Sequence, residues 1–238
     1  AMAYGTESIP RVDKIFGPGN TWVTAAKSLV AAANIGVSVD MPAGPTEVMV
    51  ISNGGINSTS IAYDLLSQAE HGPHSQVTLL CTDEDFAQQV QGDIFQILTD
   101  LPTKETASRA LENSKIILIE TIEQALSIAN LYAPEHLILA FPDARGCVDQ
   151  IQNAGSVFLG KWSPESAGDY CSGTNHVLPT YGYAKSVSAI SVDSFVKTIS
   201  IQEISKEGLI GLSTTITELA RVEGLEAHAR AVEVRLED

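Results

Sequence analysis

Apolar residues along this chain fall into short dense runs separated by stretches in which they recur every three or four positions. The runs at residues 48–52, 76–82, 115–120, 136–141 and 156–160 read as strands. Between the first two, Ile61, Ala62, Leu65, Leu66 and Ala69 share one helical face, in a stretch that opens at Ser58 and stops at Gly72-Pro73. Further helices are expected to open at Asp83, to run on as a polar helix towards Glu112, and to cover 122–131 and 144–153. Strands apolar on both sides, alternating with helices, predict an α/β fold: a Rossmann-like parallel sheet with helices on both faces.

The two ends read differently. Residues 14–16 are a short apolar run that stops at Gly17-Pro18-Gly19-Asn20, and Trp22, Val23, Ala26, Leu29, Val30 and Ala33 then predict an amphipathic helix. Residues 37–40 read as a short strand, and Met41-Pro42-Ala43-Gly44-Pro45 breaks any helix. Residues 161–191, rich in Gly, Ser, Tyr and Pro, are expected to form one long loop, and a loop of that length in a compact domain is usually functional. The tail predicts two helices, 205–220 and 225–236, joined by a short link; such a hairpin needs another surface to cover its apolar face.

Composition narrows the partners. Acidic residues number 29 against 14 basic ones, a formal charge of −15 that opposes nucleic acid and anionic membranes. Three scattered cysteines without a CxxC fit a reducing, cytoplasmic setting rather than a disulfide framework. The start, Ala1-Met2-Ala3-Tyr4-Gly5, reads as the interior of a longer protein, and no run reaches the ~20 apolar residues of a bilayer span.

Chemistry concentrates in three segments. Gln68 and His71, three apart at a helix end, can face one object, and with Asp169 they offer nitrogen and oxygen donors for a metal. A surface or capping histidine is the competing reading, and glutamine is an uncommon zinc ligand. Glu135-His136, behind Pro134, pairs a carboxylate with an imidazole as proton transfer requires. Neighbours on a strand point to opposite faces, so both serve one site only if the bend at Pro134 turns them together. His176 and Asp169 lie in the expected long loop, while Glu223 and His228 on the terminal hairpin read as a solvated face. Gly17-Pro18-Gly19-Asn20 suits an anion at a helix start, although it lacks GxGxxG spacing.

Taken in order, Phe16-Gly17-Pro18-Gly19-Asn20, Asp40 through Glu47 (Asp-x-x-Ala-Gly-Pro-Thr-Glu), Asp64 through His71, Ala133-Pro134-Glu135-His136, Trp162 through Tyr170, Ser172 through Thr180 and Glu203 through Gly208 resemble the histidinol dehydrogenase family from Tyr4 to about Leu236. The resemblance implies a zinc-dependent, NAD-linked oxidation of L-histidinol through L-histidinal to L-histidine. It implies zinc ligands at Gln68, His71, Asp169 and His228, acid/base roles for Glu135 and His136, and contact with NAD at Asn20. The substrate would also meet Thr46, Glu165, Tyr170, His176 and Glu223, with His228 and Glu223 reaching across a homodimer. By the same resemblance, residues 1–45 end an NAD-binding domain, 46–190 are the later portion of the catalytic α/β domain, and 191–238 are a helical dimerisation domain. The sheet is then expected to be incomplete at its N-terminal side, because members of the family are nearly twice this length. A truncated, inactive metal-binding dimerisation piece of the same family and a metal hydrolase are the competing readings; the second finds no HExxH in its favour.

Overall fold

A computed structural model describes residues 1–17, 21–41 and 44–237, and it divides the chain into two compact units, Ala1–Phe195 and Val196–Asp238. Five strands build the larger unit's main sheet: β3 (Glu47–Ser52), β4 (Gln76–Cys81), β5 (Lys115–Leu118), β6 (His136–Ala140) and β7 (Ser156–Leu159). All neighbours are parallel, in the order β5-β4-β3-β6-β7. Every residue of β3 and β6 is buried, which is why their sequences are apolar without alternation.

Alternate residues of each strand feed two cores. Val48, Val50, Leu79, Ile138 and Phe158 pack with α2 (Ser58–Ala69), α3 (Glu84–Asp100) and α4 (Lys104–Leu111). Met49, Ile51, Leu80, Leu137 and Leu139 pack on the other face with α5 (Ile122–Tyr132) and the 3₁₀ segment Ala144–Gln150. The helix expected over 144–153 is this 3₁₀ segment, whose Ala144 tucks into the second core. Capping explains the starts: Asn57, Asp83 and Thr121 each accept a backbone N–H in the first turn of α2, α3 and α5.

Ahead of the sheet, β1 (Lys14–Ile15) and β2 (Ser38–Val39) pair in parallel around α1 (Thr21–Ala32). The apolar stripe expected to anchor α1 lies outside: Trp22 is 84% and Leu29 72% exposed. The helix buries Lys27 instead, ion-paired with Asp40, and Lys27 also donates to the Gly17 carbonyl at 2.9 Å. Asn20 falls outside the described residues.

The stretch 161–191 is not one loop. It contains α6 (Glu165–Tyr170) and a 3₁₀ turn, Tyr183–Lys185. Pro164 fixes the entry to α6, Glu165 puts a carboxylate in its first turn, and Gly168 lets α6 close on Phe158. In the second unit, α7 (Lys206–Val222) and α8 (Glu226–Glu233) form a hairpin through Gly224, whose φ of +75° suits glycine. Thr217, Ala220, Ala229 and Val232 are buried, while Leu212 and Leu219 of the expected stripe remain exposed.

Candidate active site

Parallel sheets usually place ligands beyond the carboxyl ends of their strands. At the carboxyl end of β3 and β6, Ser52 donates to the Ala140 carbonyl at 3.2 Å, and the Gly55 backbone lies so near Pro142 that a Cβ would sit 2.7 Å from its ring. The polar cavity lies at the opposite, amino end of the same two strands. Register puts Val48 beside His136, so Thr46 and Glu47 come level with Glu135. It holds about 280 Å³ and is lined by Thr46, Gln68, His71, Glu135, His136, Glu165, Asp169 and His176, with Gly44 and Val177, Leu178 and Thr180 closing it.

Glu135 sits in a bend just before β6, not on it, and this is how neighbouring residues turn to one cavity. Ala133 makes the bend possible by taking φ +60° at the end of α5. Gln68 lies in the last turn of α2, and His71 follows two residues after the helix. Glu165 and Asp169, four apart, share a face of α6.

Burial sets the electrostatics. Glu135 Oε2 accepts from the Thr46 hydroxyl at 2.6 Å and from the Glu47 N–H at 2.9 Å. Desolvation outweighs both bonds and pushes its pKa up to about 7. Glu165 is 1% exposed; burial first, and the nearby Asp169 second, push it up to about 8. Desolvation also holds His136 below the usual histidine value, so the imidazole is neutral at pH 7. His136 Nδ1–H donates to the Glu47 carbonyl at 3.0 Å, which leaves the lone pair on Nε2, 3.6 Å from Glu165 Oε1.

Gln68, 1% exposed, joins the network: Thr46 Oγ lies 2.8 Å from its Oε1, and its Nε2 lies 3.3 Å from His136 Nδ1. The Thr46 hydroxyl has one proton and can donate to only one acceptor at a time. Rotating the Gln68 amide by half a turn gives Thr46 a donor and leaves that proton for Glu135.

The donors suit a divalent cation. His136, Glu165 and Asp169 offer ligand atoms within 4.8 Å of one another, and Glu165 Oε1 is buried without a hydrogen-bond partner. Gln68 and His71 line the same cavity; Tyr170 is 85% exposed and does not line it. Glu223 and His228 belong to the second unit, at the end of α7 and in α8. Sequence reasoning gave no role to Thr180, which lines the cavity, or to Glu47, whose backbone bonds Glu135 and His136, since a loop threonine and a lone strand-entry glutamate carry no spacing signal.

The fold and cavity define a class: a parallel α/β protein with a buried Glu135–His136 pair and a carboxylate–imidazole cluster at the amino ends of its central strands. The chain belongs to the histidinol dehydrogenase family, whose sequence model matches residues 1–236. It is 55% identical over 237 residues to histidinol dehydrogenase of Pseudoalteromonas translucida (strain TAC 125), a match covering 100% of this chain and 55% of that protein. Histidinol dehydrogenase of Escherichia coli (strain K12) is 53% identical over 236 residues, covering 99% of this chain and 54% of the relative. The crystal structure of histidinol dehydrogenase from Elizabethkingia anophelis superposes with a TM-score of 0.96 at 52% identity, over 99% of this chain and 54% of that one. The chain thus spans about half the length of these relatives. No helix among the described residues is long and apolar enough to cross a membrane.

Proposed function

We propose that this chain carries the acid/base and metal-binding residues of a cytoplasmic histidinol dehydrogenase, which oxidises L-histidinol through L-histidinal to L-histidine. One observation carries the reading: Glu135 and His136, adjacent in sequence, turn into one cavity beside Gln68, His71, Glu165 and Asp169. Neither side chains nor zinc can accept electrons, so a hydride acceptor, NAD, is required. Zinc held by Gln68, His71, Asp169 and a second copy's His228 would fix the substrate's imidazole and amine.

The chain's own groups handle protons. His136 Nε2, the free lone pair, takes the hydroxyl proton as a hydride leaves the carbinol carbon, giving the aldehyde. Glu135, with a pKa of about 7, removes a proton from water as it adds to the aldehyde carbon. His136, having shed its first proton to solvent, takes the remaining hydroxyl proton of this adduct as the second hydride leaves, giving the carboxylate. Thr46, Glu165, Tyr170, His176 and a second copy's Glu223 complete the substrate contacts, and Asn20 meets NAD. Residues 1–45 close the nucleotide domain, 46–190 form the catalytic portion, and 191–238 the dimerisation hairpin of a homodimer.

A second reading follows from the cluster of His136, Glu165 and Asp169, in which His136 Nε2 binds the metal and is lost as a base. His136→Ala in the natural protein carrying this sequence separates them. The first reading expects zinc retained at wild-type stoichiometry and turnover lowered by roughly 10²–10⁴, as for a lost general base. Zinc lost with His136→Ala, but kept in His71→Asn, would overturn it. Chelation should abolish NADH formation from histidinol.

A further inference from the structure

We propose that Glu47 is a positioning residue of this acid/base site, its main chain aiming Glu135 and His136 and its carboxylate anchoring the turn that closes the cavity. The inference rests on the proposed acid/base roles of Glu135 and His136. Glu47 is 3% exposed at the first position of β3 and does not line the cavity. Its N–H donates to Glu135 Oε2 at 2.9 Å, and its carbonyl accepts from His136 Nδ1 at 3.0 Å. One peptide segment therefore holds both groups, and the second bond puts the His136 lone pair on Nε2.

The side chain works in the other direction. Glu47 Oε1 accepts the Tyr181 N–H at 2.9 Å, at a residue whose φ of +52° is unusual for a non-glycine side chain. Next to it, the Thr180 hydroxyl accepts the Gly44 N–H at 2.6 Å, and Gly44 lies against the Tyr181 ring so closely that a Cβ there would overlap it. The 44–47 segment and the 180–181 turn thus clasp each other, and Thr180 forms one wall of the cavity. A left-handed tyrosine persists only where its surroundings over-determine it, and Glu47 supplies the buried acceptor that does so. Oε2 of Glu47 is buried with no hydrogen-bond partner. The carboxylate therefore acts through Oε1, and a neutral amide oxygen can take its place.

The test compares Glu47→Gln, Glu47→Met and Thr180→Ala in the natural protein carrying this sequence. Turnover of histidinol is read beside hydrogen exchange at the Tyr181 amide. Gln keeps the acceptor, so kcat should stay within about threefold of wild type and the amide should stay protected. Met removes it. The Tyr181 amide should then exchange at least roughly tenfold faster. In Glu47→Met kcat should fall roughly 10- to 100-fold, the scale of a small misplacement of catalytic groups, with KM for histidinol nearly unchanged. Thr180→Ala releases the second clasp and should lower kcat in the same way with zinc retained, which carries the test should Glu47→Met not fold. Glu47→Gln as inactive as Glu47→Met, with its Tyr181 amide protected, would make Glu47 a proton carrier and overturn the proposal. Wild-type kcat in Glu47→Met, or in Thr180→Ala, would do so too. A wild-type protein that does not oxidise histidinol would instead overturn the function proposed above, while the amide exchange would still report on the clasp.

Discussion

Replacing Thr46 with Val isolates how the site sets the proton affinity of Glu135. Thr46 Oγ lies 2.6 Å from Glu135 Oε2, and its bond opposes the desolvation that raises the carboxyl to about 7. A hydrogen bond to a charged group contributes about 1.5–3 kcal/mol, and about 1.4 kcal/mol moves a pKa by one unit. The bond favours the ionised form, so its loss raises the pKa further, to about 8–9. At pH 7 the ionised fraction then falls from about one half to roughly 1–10%. Oxidation of histidinal, which needs a base for its water, should slow roughly 5- to 50-fold at pH 7 and recover towards pH 9. Thr46→Ser, which keeps the hydroxyl, should leave the profile in place. The assay is the pH dependence of NADH formation from histidinal between pH 6 and 10. An ascending limb that stays where it is in Thr46→Val, or moves to lower pH, would refute this account of Glu135.

Burial of Glu135 also links stability to pH. Its folded pKa of about 7 exceeds the ordinary 4.5, so its contribution is full below 4.5 and lost as pH rises through 7, a span worth about 3 kcal/mol. Urea unfolding of metal-free protein should show wild type losing that much relative to Glu135→Gln between pH 4.5 and 8; a constant difference would count against it. Gly155→Ala places a Cβ 2.5 Å from the Glu135 carbonyl and 3.2 Å from Leu178, and it should cost about 1–3 kcal/mol with reduced turnover. Unchanged unfolding midpoints in that variant would show that the bend carrying Glu135 can yield. His71→Asn should lose zinc, read by metal analysis, while His136→Ala keeps it.

The strands, the helices α2, α3 and α5 and the parallel sheet were legible from apolar periodicity, because burial on both faces demands uninterrupted apolar runs such as Val48 to Ile51. The start of α3 at Asp83, whose side chain caps the helix, was an equally local signal. Where local pattern and long-range packing disagreed, the sequence misled. The stripe of α1 promised a buried face, yet Lys27 is the buried residue, because Asp40, thirteen positions on, supplies its counter-charge. The helix α6 was hidden inside a Gly- and Ser-rich stretch, since six residues are too few to display a period.

Residue types alone nominated Gln68, His71, Glu135, His136, Asp169 and His176, and the ordered motifs added Thr46 and Glu165. Only the tertiary structure could show that these eight line one cavity, because it depends on β3 lying beside β6 and on α6 closing over α2. It also decided that the cavity opens at the amino ends of the strands, where a bend rather than strand geometry turns Glu135 and His136 the same way. The raised affinities of Glu135 and Glu165 belong to that level as well. Desolvation is a property of everything packed around a group, and no window of sequence contains it.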